Sequence, residues 1–174
     1  MSIKNKDTSK RKDKLKLVIY QVIKVKRLMF KSCVNKQEEV KSWFKVFLNE
    51  EEKYQKIIEL GRQLPGLTEQ DKIPAHLVKG CQSTMYLVSQ LKGDKVEFAA
   101  ESDALISAGL AALLMHVYSG ESPEAILTCP PTYLEELGIS ASLTPNRANG
   151  LYSIHLRMKQ DALRLLIEKV KNQS

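Results

Sequence analysis

Residues 82–120 read QSTMYLVSQLKGDKVEFAAESDALISAGLAALLMHVYSG, and this stretch decides the fold class. Its opening, 82–91, has the look of a strand, with Met85, Leu87 and Val88 set among polar neighbours. Lys92-Gly93-Asp94-Lys95 is a turn and Val96–Ala100 returns as a second strand, so the two form an antiparallel hairpin. Ser102 then stands where a cap is needed for a helix from Asp103 to about Tyr118, with Gly120 in the stop position. That helix is apolar on every side (Ala104, Leu105, Ile106, Leu110, Leu113, Leu114, Met115, Val117), which is the mark of a central core helix.

Helical patterns flank this unit on both sides. Gln37–Leu48 places Val40, Trp43, Phe44 and Phe47 at helical spacing. Asn49 is positioned to cap a second helix, Glu50 to about Gln63, whose acidic start suits the positive end of the helix dipole. Its expected buried face is Tyr54, Ile57, Ile58, Leu60 and Leu64, and Pro65-Gly66 ends it. Residues 65–80 read as a loop. After the core helix, Ser122-Pro123-Glu124 starts a short helix that Cys129-Pro130-Pro131 breaks, and Tyr133–Leu137 makes another turn stopped by Gly138. Thr144-Pro145 begins a last helix that runs to about Val170. Strands grouped together between helices predict an α+β domain: a small antiparallel, hairpin-based sheet packed against several helices, with no βαβ alternation.

The chain has 174 residues, 43% of them hydrophobic and 27% charged, which suits one domain with a core of its own. No apolar run approaches the roughly 20 residues a membrane-spanning helix needs. Three cysteines at 33, 81 and 129 do not make a disulfide framework, and they point to a reducing, cytoplasmic setting.

The formal net charge of +7 is unevenly placed. Residues 1–36 carry twelve Lys/Arg against Asp7 and Asp13, whereas 37–174 carry 15 basic and 18 acidic residues. A mildly acidic body argues against a nucleic-acid fold, whose basic residues would track phosphates from the folded surface. Accordingly 1–36 reads as a basic extension and 37–174 as the domain. Within the extension, 1–14 is polar and aperiodic, as a disordered segment is. Residues 15–29 set Leu15, Val18, Val22, Val25 and Met29 at helical spacing among lysines, a basic amphipathic pattern that suits an anionic membrane surface or a partner. No signal-peptide pattern is present, and the favoured reading of 1–28 is a loose extension or an over-long gene model.

Chemistry is sparse. Cys81 follows Gly80 at the end of the long loop, and Lys79 with polar Gln82-Ser83 gives it access and electropositive surroundings that favour a thiolate. A small buried hydrophobe is the ordinary role of a lone cysteine, and that alternative stays open here. The cysteines lie 48 apart with no C-x-x-C pair and no helical His-x-x-x-His, so no metal-ligand set is supported. His116 and His155 fall within helices as structural residues. His76, five residues before Cys81, reads as a solvated loop histidine, and whether it or Lys79 tunes the thiol stays open. Phosphate loops, Gly-x-Ser-x-Gly elbows and Ser-x-x-Lys motifs are absent.

Several ordered blocks nevertheless resemble one family. Tyr54-Gln55-Lys56-Ile57-Ile58-Glu59-Leu60-Gly61, Leu64-Pro65 and Val78-Lys79-Gly80-Cys81-Gln82-Ser83 are similar to the SufE sulfur-acceptor proteins. Ser102-Asp103-Ala104 with Gly109-Leu110, Tyr118-Ser119-Gly120 with Ser122-Pro123, and Leu143-Thr144-Pro145-Asn146-Arg147 with Asn149-Gly150-Leu151 follow in the family's order. The resemblance covers roughly 37–165 and departs at Tyr86, where family members often carry tryptophan.

This resemblance implies a SufE/IscU-like fold and a sulfur carrier. Cys81 would accept persulfide sulfur from a pyridoxal-phosphate cysteine desulfurase (SufS- or CsdA-like), stimulate that enzyme, and pass the sulfur to a SufBCD-like iron–sulfur scaffold. No cofactor or metal on this chain is implied. The cysteine loop is sheltered in the family until docking, which makes Gly80 a hinge. Arg147 matches a family arginine associated with the desulfurase contact, and Asp103 a position that influences docking. Gln82 and Ser83 shape the loop. The alternatives are a U-type iron–sulfur scaffold and a non-catalytic binding module on the same fold.

Overall fold

A computed structural model describes residues 30–173 together with Lys16, Ile19 and Tyr20. The polar segment 1–14 and most of the amphipathic segment 15–29 lie outside the described residues. One compact unit spans Cys33–Ser174. Its elements run α1 (Lys31–Phe44), α2 (Glu50–Arg62), two short 3-10 turns, β1 (Met85–Lys92), β2 (Lys95–Ser102), α3 (Leu105–Tyr118), α4 (Pro123–Thr128), α5 (Thr132–Glu136), α6 (Ile139–Ser142) and α7 (Pro145–Gln173). The fold is α+β, as expected, with a two-stranded antiparallel sheet among helices.

The hairpin closes on a two-residue turn, Gly93-Asp94, with Lys92 paired to Lys95. Gly93 takes φ 61° while Asp94 does not turn positive, so glycine occupies the one turn position that would strain any other residue. Met85 and Leu87 of β1 and Val96, Phe98 and Ala100 of β2 point into the core, one strand period apart. Above them lies α3, with nine of its residues buried, packed on β2, α2 and α7. Two glycines let α2 and α3 touch backbone to backbone. A Cβ on Gly109 would meet the Ile57 carbonyl oxygen, and one on Gly61 would come within 2.6 Å of the Gly109 nitrogen. Sequence periodicity assigns this α2 face to Tyr54, Ile58, Leu60 and Leu64 as well, yet those are only half-buried and Ile57 and Gly61 carry the contact.

Several boundaries differ from the sequence reading. The first helix begins at Lys31 and not Gln37, because Cys33 is fully buried and Lys36 donates to the Ser119 carbonyl at 2.7 Å while pairing with Glu121 at 2.6 Å. Ser102 ends β2 and does not cap α3, which starts three residues later with Ala104 at its N-cap position. Asp103 therefore precedes the helix and is exposed, outside the first turn where a dipole partner would sit. The first strand begins at Met85 and not 82, which leaves Cys81 in a loop of its own. Asn49 caps α2 as expected, accepting from the Glu52 amide, and Ser122 caps α4 by accepting from the Ala125 amide.

Candidate functional site

The loop that carries Cys81 is a small hairpin excursion. Val78 N–H donates to the Met85 carbonyl at 2.8 Å, and Leu77 bridges Tyr86, so residues 79–84 are closed at their base. Gly80 adopts φ 89° on the rising side, and a Cβ there would lie 2.6 Å from Ser153 Oγ of α7. The turn thus needs glycine twice over, for its backbone and for its closeness to α7.

Serines tie down the descending side. Ser83 Oγ donates to Ser107 Oγ at 2.8 Å, Ser102 Oγ donates to the Thr84 carbonyl at 2.9 Å, and Asp103 N–H donates to the same carbonyl at 3.2 Å. Ser83 is thereby tied to the start of α3. The backbone of Asp103 ties down the same side of the loop, although its exposed carboxylate does not line the cavity.

Cys81, Gln82 and Ser83 line a cavity of about 290 Å³ with Ile106, Ser107 and Leu110 of α3 and Asn146, Arg147, Gly150 and Ile154 of α7. Four residues anticipated from sequence thus meet there: Cys81, Gln82, Ser83 and Arg147. The Cys81 thiol is half-buried, and its Sγ points to the Gly150 carbonyl at 3.7 Å. Burial pushes the thiol pKa up, since the charged thiolate would lose water there. The sequence expectation of a thiolate favoured by Lys79 is not met in this sheltered state. Lys79 lines a separate cavity beside Pro74, Leu77 and Arg157, and His76 Nδ1 lies 2.7 Å from the Asp71 carbonyl oxygen.

Arg147 is exposed in the first turn of α7, its guanidinium 5.2 Å from the centre of the Tyr54 ring. The contact is a cation–π pair across α2 and α7.

The other cysteines lie elsewhere. Cys33 is fully buried and Cys129 nearly so, and Gln37 Nε2 donates to Cys129 Sγ at 3.3 Å. The neighbouring Cys129 thiol, together with burial, holds Cys33 in its protonated form, and the Cys33 thiol in turn pulls Cys129 down. Of the helical histidines, His155 stacks on Tyr118 at 5.3 Å with Nε2 buried and unpartnered, and burial pulls its pKa down to about 4. His116 stands edge-on to Trp43 at 4.4 Å, its Nε2 3.2 Å from a Glu39 oxygen but outside hydrogen-bonding geometry.

Three contributors escape the sequence reading: Ser107, Ser153 and Arg157. Gly150, Ser153 and Arg157 recur at helical spacing on one face of α7, a small-and-polar stripe on an otherwise amphipathic helix. That stripe is the available signal.

A family model described as "SufE: Fe-S metabolism associated domain" matches residues 38–162. The chain belongs to the SufE family. An uncharacterized SufE-like protein of Synechocystis sp. is 37% identical over 111 residues, which is 64% of this chain and 70% of that one. The solution structure of a hypothetical protein from Thermus thermophilus superposes with a TM-score of 0.64 at 27% identity, covering 76% of this chain and 96% of that one. As a SufE-family member the chain carries a domain associated with iron–sulfur metabolism. Among the described residues no helix is long and apolar enough to cross a membrane.

Proposed function

We propose that this SufE-family protein is a sulfur acceptor whose reacting atom is Cys81 Sγ. The observation that carries the reading is the contrast among its thiols: Cys33 and Cys129 are locked in the core, while Cys81 stands in a short loop lining an open cavity. In the proposed step, the Cys81 thiolate attacks the terminal sulfur of a persulfide held on a cysteine desulfurase. The new S–S bond forms on Cys81, the old one breaks, and the desulfurase cysteine leaves as a thiolate. No oxidant or reductant is consumed, because the sulfane sulfur passes between two thiols.

The sheltered geometry suits a gated acceptor. A thiol whose pKa is raised by burial reacts slowly with small molecules, and the same enclosure protects a persulfide once formed. Docking on the desulfurase draws the loop out, restores water or partner charge to the sulfur, and so frees the thiolate. Gly80 is the proposed hinge, and Arg147 and Asp103 are the proposed partner contacts. The desulfurase brings the pyridoxal phosphate, this chain needs no cofactor of its own, and the sulfur continues to an iron–sulfur assembly scaffold in the cytoplasm. A U-type scaffold role would need several ligands at one site, and the other two cysteines are committed to the core around Gln37.

Intact mass after incubation with a cysteine desulfurase and L-cysteine tests the reading. The wild type gains one sulfur or more and Cys81→Ser gains none. If the wild type takes no sulfur from a competent desulfurase, the acceptor role is wrong.

A further inference from the structure

We propose that Arg157, braced by Asp161, is the positioning residue that keeps the Cys81 loop in its sheltered place. The inference rests on the acceptor reading for its purpose, though its geometry stands independently. The two stems of the loop are held unequally. The descending stem continues into β1 and is paired with β2 along its length. The rising stem, Ala75–Val78, begins within a 3-10 turn and, among the described residues, is tied to β1 by the Leu77–Tyr86 bridge and the Val78–Met85 hydrogen bond.

Arg157 supplies what that stem lacks. Its Nη2 donates to the Ala75 carbonyl at 2.8 Å and its Nη1 to the Leu77 carbonyl at 3.1 Å. Its Nε donates to Asp161 Oδ1 at 3.0 Å, one turn further along α7. The Asp161 side chain is only 8% exposed and that of Arg157 only 21%, so the pair is shielded from solvent and salt. A guanidinium can span two carbonyls and a carboxylate at once because its donors lie in a rigid plane, which a lysine ammonium cannot reproduce.

The consequence follows from α7 touching both halves of the loop. It grips the stem through Arg157 and meets the tip through Ser153 under Gly80 and the Gly150 carbonyl at Cys81 Sγ. While Arg157 holds the stem against α7, Gly80 stays seated at Ser153 and the thiol stays in its cavity. Once it lets go, the stem can lift and the tip can follow.

Native alkylation of the full chain by iodoacetamide, followed by intact mass and peptide mapping, tests this without any desulfurase. Arg157→Lys keeps a cation for Asp161 but loses the fork, and should speed Cys81 alkylation at least about threefold. The double variant Arg157→Met with Asp161→Asn removes the clamp without stranding a buried charge. It should speed alkylation about tenfold or more, the order by which a lost charge-assisted hydrogen bond shifts a local opening. Cys33 and Cys129 serve as internal controls and should stay unmodified, since a merely structural loss would expose all three thiols together. A Cys81 rate within twofold of wild type in the folded double variant, or parallel labelling of the core thiols, would overturn the proposal. If the double variant does not fold, an unchanged rate in Arg157→Lys does so. Because wild-type sulfur uptake is measured separately, faster alkylation without uptake would keep the clamp and sink only the acceptor role.

Discussion

Cys129 and Cys33 are both buried in the core, where Gln37 donates to the Cys129 sulfur and Tyr118 donates its hydroxyl to the Cys129 carbonyl at 2.8 Å. Cys81 points its thiol at a carbonyl of α7 and has a cavity in front of it. Exposing Cys129 means prising α1 from the α4–α5 junction, whereas exposing Cys81 means moving a short stretch of loop. Reactivity in this fold is therefore set by how much structure has to open, and only secondarily by the thiol itself. The contrast predicts that iodoacetamide labels Cys81 in the native protein at least about a hundredfold faster than either core thiol, the gap expected between local and near-global opening. Comparable rates at all three would erase the distinction on which the site assignment stands.

That distinction is only half legible in the sequence. The helical pattern from Asp103 to Tyr118 and the Lys92–Lys95 turn reveal the core and the hairpin, because burial and turn chemistry are local signals. Cys33 reads as part of the basic extension, since the lysines around it mask the helical turn that carries Lys36 to Glu121. Cys81 stands out through its glycine neighbour and the family blocks around it. Its sheltering is not legible from local residues, because it arises from Ser107, Gly150 and Ser153, which are distant in the chain and ordinary in type. The expectation that Lys79 would promote the thiolate fails for the same reason: neighbours in sequence point into different cavities.

Gln37 sharpens the comparison from the core side. It donates to the Pro130 carbonyl at 3.0 Å and to Cys129, and accepts from Thr132 Oγ1 and the buried Tyr133 amide. Gln37→Leu keeps the volume and strands these partners, so stability should fall by about 2–3 kcal/mol in urea denaturation. Core thiols should label sooner while the Cys81 rate holds. An equal acceleration of Cys81 would mean that the two regions open as one.

Gly80 tests the loop side. In Gly80→Ala the residue must hold φ 89° with a side chain, and its new methyl meets Ser153 Oγ at 2.6 Å. The backbone strain alone is about 1–2 kcal/mol, enough to favour the open loop roughly tenfold. Cys81 should label faster with the core thiols silent. Adding Ser153→Ala should restore part of the protection, because the next atom, Ser153 Cβ, lies at 3.6 Å, an ordinary contact. A double variant as fast as Gly80→Ala would assign the whole effect to the backbone angle.

The smallest effect concerns protons, and it separates burial from charge as the cause of the Cys81 shift. Burial holds this thiol above the usual range, so the folded protein keeps its proton at pH values where the unfolded chain has lost it. The linked stability is fully present below the ordinary thiol pKa, near about 8.5, and declines as pH rises through the higher folded value. Cys81→Ser should therefore lose stability less steeply than wild type on the alkaline side, by chemical denaturation, and match its slope near neutrality. The alkylation rate of wild-type Cys81 against pH should likewise have its midpoint above that of a free thiol, and Gly80→Ala should move it downward as the loop opens to water. A midpoint that stayed put in the opened loop would trace the shift to a fixed neighbouring charge, and the enclosure by α3 and α7 would then not be what keeps this cysteine quiet.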